Sequence, residues 1–111
     1  MEITYQEFKH CDLLKVNGRV DSSTAPDFTK ALDKIVDGGR YNIIVDMSEL
    51  EYMSSAGFRA LLATQRNCKR YNRGELVLVA VPERIREALE LAGFTELFKT
   101  FEDPLDAVGS F

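Results

Sequence analysis

Hydrophobic and polar positions divide the chain into stretches of two-residue period and stretches of helical period. Ile3 to Phe8 alternates, with Ile3 and Tyr5 on one side and Thr4, Gln6 and Phe8 on the other, which predicts a strand. Lys9-His10-Cys11-Asp12 reads as a turn and Leu13 to Val16 as a second strand, so an antiparallel hairpin is expected first. Gly18 reads as the end of that strand, and Asp21-Ser22-Ser23-Thr24 as a polar loop. Ala25-Pro26-Asp27 then opens a helix, where proline's missing N–H costs nothing, and Thr24 with Asp27 resembles a capping box. Ala25, Phe28, Leu32, Ile35 and Val36 share one face of it, and Gly38-Gly39 stops it.

Tyr41 to Asp46 is a short apolar run with β-branched residues, the pattern of a buried strand, and Met47 to Met53 reads as a connecting loop. Ser54-Ser55-Ala56-Gly57 opens a second helix, from about Ser55 to Tyr71, with Phe58, Leu61 and Leu62 at helical spacing. Leu76 to Val81 is apolar without alternation, as in a central strand covered on both faces. Pro82 starts a third helix with Ile85, Ala88, Leu89 and Ala92 inward and Gly93 at its end. Phe98 to Phe101 predicts a short last strand, and Asp103 caps a brief closing helix. Strand–helix–strand successions of this length form right-handed parallel crossovers. The expected fold is a single α/β domain over residues 1–111. Its sheet is mixed but mostly parallel, with about five strands, an N-terminal antiparallel hairpin and about four packed helices.

Composition narrows the classes. At 111 residues, with 45% hydrophobic and 29% charged, the chain suits one ordinary globular domain and excludes wholesale disorder. A net charge of −4 argues against nucleic acid as partner, since phosphate binding needs a basic surface. No apolar run approaches the roughly 18 residues needed to span a bilayer, and Met1 to Tyr5 lacks the basic and apolar regions of a signal peptide. A cytoplasmic address without membrane contact is the expectation. Cys11 and Cys68 lie far apart and read as reduced thiols; His10, alone in a surface turn, reads as solvated, so no metal is expected.

The chemistry-bearing residues gather in a few places. Nucleotide cradles and the nucleophile elbow are absent, and Ser55 has no nearby base, so the expectation is a binding protein without cofactor and not an enzyme. Asp21 and Asp46 follow neighbouring parallel strands, so with Ser54 and Ser55 they are expected to meet at the carboxyl edge of the sheet. Two carboxylates and a serine there also allow a Mg²⁺ or small nucleotide-binding edge as an alternative. The local readings are simpler: Asp21 a turn former, Asp46 a loop-capping carboxylate, Ser55 a helix cap. Arg66, Lys69, Arg70 and Arg73 crowd the far end of the second helix, where cations complement its dipole or dock an acidic partner.

Asp46-Met-Ser-Glu-Leu-Glu-Tyr-Met-Ser-Ser-Ala-Gly-Phe58 resembles the signature of the STAS family, the anti-sigma-factor antagonists of bacteria. Gly18-Arg19-Val20-Asp21-Ser22-Ser23-Thr24-Ala25-Pro26 is similar to that family's second landmark, at a family-like separation. The resemblance implies a phosphorylation site at Ser55, modified by a partner anti-sigma factor that is itself a serine kinase, with Ser54 as the alternative acceptor. It implies partner contacts at Asp21, Ser22, Ser23, Ser54, Ser55 and Gly57. Ser54 stands where many antagonists have aspartate, and Ala56 where serine or threonine is frequent. A constitutive scaffold or transporter-complex subunit with the same fold is the other reading the family allows.

Overall fold

The computed structural model describes residues 1–111. Strands β1 (Glu2–Glu7) and β2 (Asp12–Val20) form the antiparallel hairpin, and helix α1 (Ala25–Asp37) crosses to β3 (Ile43–Asp46). Then follow β4 (Leu50–Met53), α2 (Ser55–Lys69), β5 (Leu76–Val79), α3 (Glu83–Leu91), β6 (Thr100–Phe101) and α4 (Pro104–Gly109). The sheet runs β1-β2-β3-β5-β6, and every pairing after the hairpin is parallel. The expected mixed, mostly parallel α/β sheet with four helices is what the chain forms, with six strands.

Side-chain alternation on the central strands splits the core between the two faces. Leu14, Val16, Ile43, Val45, Leu76 and Leu78 face α1, α2 and α3, meeting Phe28, Leu32, Leu61 and Ile85. Ile44, Val77 and Val79 face the other way, under Ala107 of α4. Every residue of β3 and of β5 is buried, which is why both read as unbroken apolar runs.

Three features of the hairpin and its surroundings differ from the sequence reading. Gly18 does not end β2: it turns through φ +95° at a register shift, and Arg19 and Val20 continue the strand. The segment Leu50–Met53 is no loop but a strand that pairs with Gly18 to Val20, taking up β2 where β3 has stopped opposite Lys15. Its burial runs in, out, out, in, which is not the two-residue alternation that marks a half-buried strand. Asp12 is not part of the turn. It opens β2 fully buried, where its carboxylate accepts from the Tyr5 hydroxyl and pairs with Arg40 at 2.7 Å. Arg40 also donates to the carbonyls of Phe8, Lys9 and Cys11, closing the turn over that charge.

Smaller departures concern the helix ends. Pro82 caps α3 from outside, and Ala92 past its end is exposed instead of inward. After Lys69 a 3-10 turn, with Tyr71 at φ 58°, ends α2. Gly74 follows because a Cβ there would stand 2.4 Å from the Tyr41 carbonyl oxygen.

Candidate functional site

Where β2 and β4 end side by side, the two segments singled out in the sequence are tied together. Val20 pairs with Met53, and the Ser54 N–H donates to the Val20 carbonyl at 2.7 Å. One residue beyond that bond stand Asp21 on one side and Ser55 on the other. The loop Asp21–Thr24 and the first turn of α2 therefore share one rim.

Asp21 shapes its own loop. One carboxylate oxygen accepts from the backbone N–H groups of Ser23 at 3.0 Å and Thr24 at 3.1 Å, and from the Ser23 hydroxyl at 2.7 Å. The Ser23 hydroxyl above all, with the Thr24 amide, holds the carboxyl below its ordinary range, so the rim keeps a fixed negative charge at neutral pH. Thr24 does not act as the capping-box residue that its spacing with Asp27 suggested. Its hydroxyl is turned back on the loop, donating to the Arg19 carbonyl at 2.9 Å and accepting from the Asp21 N–H at 2.9 Å. Ser22 and Ser23 are exposed on the loop's outer side.

At the helix, the capping assignment moves by one residue. Ser54 occupies the cap, in extended conformation at φ −78° and ψ 171°, and Ser55 is the first helical residue. A cap must leave helical dihedrals while its neighbour enters them, and Ser54 alone does so. The Ser54 hydroxyl is buried and has no hydrogen-bond partner. Ser55, by contrast, is exposed. The N–H groups of the first turn have no intrahelical acceptor, and the positive end of the helix dipole lies there, so an anion on Ser55 is favourably placed. Gly57 is buried and presents no contact surface of its own. A Cβ on it would lie 2.6 Å from Met53 Cγ and 3.0 Å from Val20 Cγ1. Glycine there lets α2 settle on the paired strand ends, which sets the height of Ser55 above the rim.

Asp46 does not join this group. In the strand register it stands opposite Lys15, while Asp21 lies six residues further on, just past the end of β2, and the Asp46 carboxylate accepts from the Ser48 N–H at 2.9 Å. The expected meeting of two carboxylates fails because β4, not β3, carries the chain out to the end of β2. No three His, Cys, Asp or Glu side chains come together as metal ligands do. Two residues at the rim escaped sequence reasoning: Arg19 and Tyr52, paired across β2 and β4, with the guanidinium 4.5 Å from the ring centre. Only the unrecognised β4 could have revealed them.

The family model of the STAS domain matches residues 2–107. The chain belongs to the STAS family. Among its relatives is BtrV of Bordetella bronchiseptica, which carries a provisional name of anti-sigma factor antagonist. It is 29% identical over 111 residues, covering all of this chain and 95% of BtrV. The anti-sigma-B factor antagonist of Listeria monocytogenes is 26% identical over 99 residues, with 89% of this chain and 85% of that one covered. Among solved structures, the anti-sigma factor antagonist SpoIIAA in its unphosphorylated form superposes with a TM-score of 0.83 at 15% identity, over 98% of this chain and 95% of SpoIIAA. The phosphorylated form from Bacillus gives 0.78 at 14% identity, covering 98% of each chain. At that identity the likeness is one of fold. In this STAS chain no helix is long and apolar enough to cross a membrane.

Proposed function

We propose that this STAS protein is an anti-sigma-factor antagonist switched by phosphorylation of Ser55. Unmodified, the rim formed by the Asp21–Thr24 loop and the first turn of α2 binds the anti-sigma factor and frees its sigma factor. The partner, acting as a serine kinase, places a phosphate on Ser55 and ends the complex. The observation that carries this reading is the exposure of Ser55 at the first position of α2, on the segment that the Ser54–Val20 bond ties to the Asp21 loop. The buried Ser54 hydroxyl is the poorer acceptor for the same reason: a kinase cannot reach it without opening the helix end.

Phosphorylation adds about −1.5 to −2 charges. The unsatisfied N–H groups and the dipole of α2 accommodate that charge within the fold. At a desolvating interface already holding the Asp21 carboxylate, the added charge repels the partner. A coupling of about 1–3 kcal/mol weakens binding some five- to 150-fold. The chain contributes no chemistry of its own: the kinase supplies base and nucleotide, and Ser55 supplies the hydroxyl.

Titration calorimetry against the anti-sigma factor from the same cells tests the switch. Ser55→Asp is expected to bind at least fivefold more weakly than the parent, while Ser55→Ala binds like the parent and cannot be turned off. Parent-like affinity of Ser55→Asp would rule the switch out.

A further inference from the structure

Helix α2 carries a charge pattern that the Ser55 rim does not use. From Ser54 to Gly74 the chain has Arg59, Arg66, Lys69, Arg70 and Arg73 and no Asp or Glu, against a net −4 for the whole. Steps of four, three, four and three residues place Ser55, Arg59, Leu62, Arg66 and Lys69 on a single helical stripe. Ser55 and the three cations of that stripe are exposed, and Leu62 is half-buried. None of these cations is in an ion pair; the chain's pairs are Arg40–Asp12, Arg86–Glu102 and Lys99–Glu75. Arg73, in contrast, is occupied by Asn67 and Tyr41.

A groove of about 380 Å³ runs beside the lower half of the stripe, lined by Leu62, Gln65, Arg66, Lys69, Phe94 and Leu97. Its apolar part is open to solvent, with Leu97 at 42% exposure. Its floor is fixed: the buried Gln65 amide donates to the carbonyls of Leu76 at 2.9 Å and Leu97 at 2.7 Å. Exposed helices ordinarily interleave acids and bases three or four residues apart, so that their charges pair internally. Here internal pairing is absent and an apolar slot adjoins the unpaired cations.

We propose that this face of α2 docks an acidic protein segment with apolar anchors. Carboxylates of that segment meet Arg59, Arg66 and Lys69, and one or two apolar side chains enter the groove over Leu62, Phe94 and Leu97. Charge complementarity selects the partner's sign, and the apolar slot selects a protein over a bare polyanion. DNA or an anionic bilayer would meet the negative charge of the rest of the chain as soon as it extended past the stripe. The inference rests on the Ser55 reading and extends it, since the stripe continues from Ser55 for about 21 Å along α2. The partner then reads the switch at one end of the helix and the charge at the other.

The experiment uses the full chain and the anti-sigma factor from the same cells, with binding measured at low and high salt. Arg66→Glu/Lys69→Glu is expected to weaken binding about tenfold or more at low salt, and Arg66→Gln/Lys69→Gln to fall between it and the parent. The differences should shrink near 1 M salt, where the screening length falls to about 3 Å. Circular dichroism and melting of each variant establish that the fold is kept, which exposed positions permit. Affinity of the reversed variant within twofold of the parent at low salt overturns the proposal. So does sedimentation with phosphatidylglycerol vesicles that the reversal abolishes while partner affinity stays unchanged. If Ser55→Asp weakens binding and the reversal does not, the docking face is wrong and the switch stands. The opposite pair of results refutes the switch and keeps the face.

Discussion

Replacing Gln65 by methionine isolates what holds α2 under the proposed site. Gln65 lies 5% exposed inside the molecule. Its amide donates to two carbonyls, and its side-chain oxygen accepts from the Leu76 N–H at 2.7 Å. Methionine keeps the volume and removes all three bonds. The Leu76 N–H then loses its acceptor in a dry interior, which costs about 1–3 kcal/mol. The two carbonyls lose neutral bonds worth about 0.5–1.5 kcal/mol each. Burying methionine's apolar atoms returns about 1–2 kcal/mol. The expected net loss is about 2–3 kcal/mol, or roughly 8–15 °C in Tm for a chain of this size. Urea unfolding is the assay: the midpoint should fall while the slope stays constant, because the surface exposed on unfolding barely changes. Well below the new Tm, affinity for the partner should be unchanged. A loss smaller than about 1 kcal/mol would mean that β5 and the Leu97 carbonyl find other partners. The amide would then not be the strut described here.

Other perturbations probe the rim and the hairpin. Gly57→Ala forces Met53 and Val20 to repack, at about 1–3 kcal/mol with under 1 kcal/mol returned by helix propensity. Urea unfolding should show that loss, and calorimetry weaker partner binding; an unchanged midpoint would mean that the strand ends yield freely. The Tyr5 phenol is pushed up to about 12, chiefly by its hydrogen bond to Asp12. Because the fold favours the neutral phenol, this stabilisation is complete below the unfolded value of about 10 and is lost as pH rises toward 12. The difference between ultraviolet titrations of the parent and of Tyr5→Phe should show a phenol ionising late; a difference centred near 10 would contradict the Asp12 contact. Burial pushes the Cys68 thiol up to about 11 and raises Cys11 as well, so Ellman's reagent near pH 8 should find neither in the native protein and both after unfolding. Rapid stoichiometric reaction of the native chain would show an opening that this packing does not contain.

Much of this architecture is legible because its residues state one period each. The helical face Ala25, Phe28, Leu32, Ile35 and Val36 is buried as the spacing requires, and the unalternating runs of β3 and β5 are covered on both faces. Elements that depend on distant pairing are not legible. Leu50–Met53 lacks the alternation of a strand and becomes one only because Gly18 lets β2 run on past β3. From that one omission follow the misplaced Asp46 and the unforeseen Arg19–Tyr52 pair. Asp12 was hidden for a similar reason: its burial is compensated by Arg40, which is remote in sequence. The placement of Asp21 beside Ser55 could be anticipated, since they lie one and two residues past the paired ends of β2 and β4. Which of Ser54 and Ser55 caps α2 needed backbone dihedrals.

The measurement that bears most directly on the central claim is phosphate mapping on the protein taken from its own cells. Intact mass followed by peptide fragmentation, across growth conditions, should reveal a single phosphate on Ser55 whose occupancy varies. A phosphate on Ser54 instead, or none under any condition, would contradict the assignment of Ser55 as the switch.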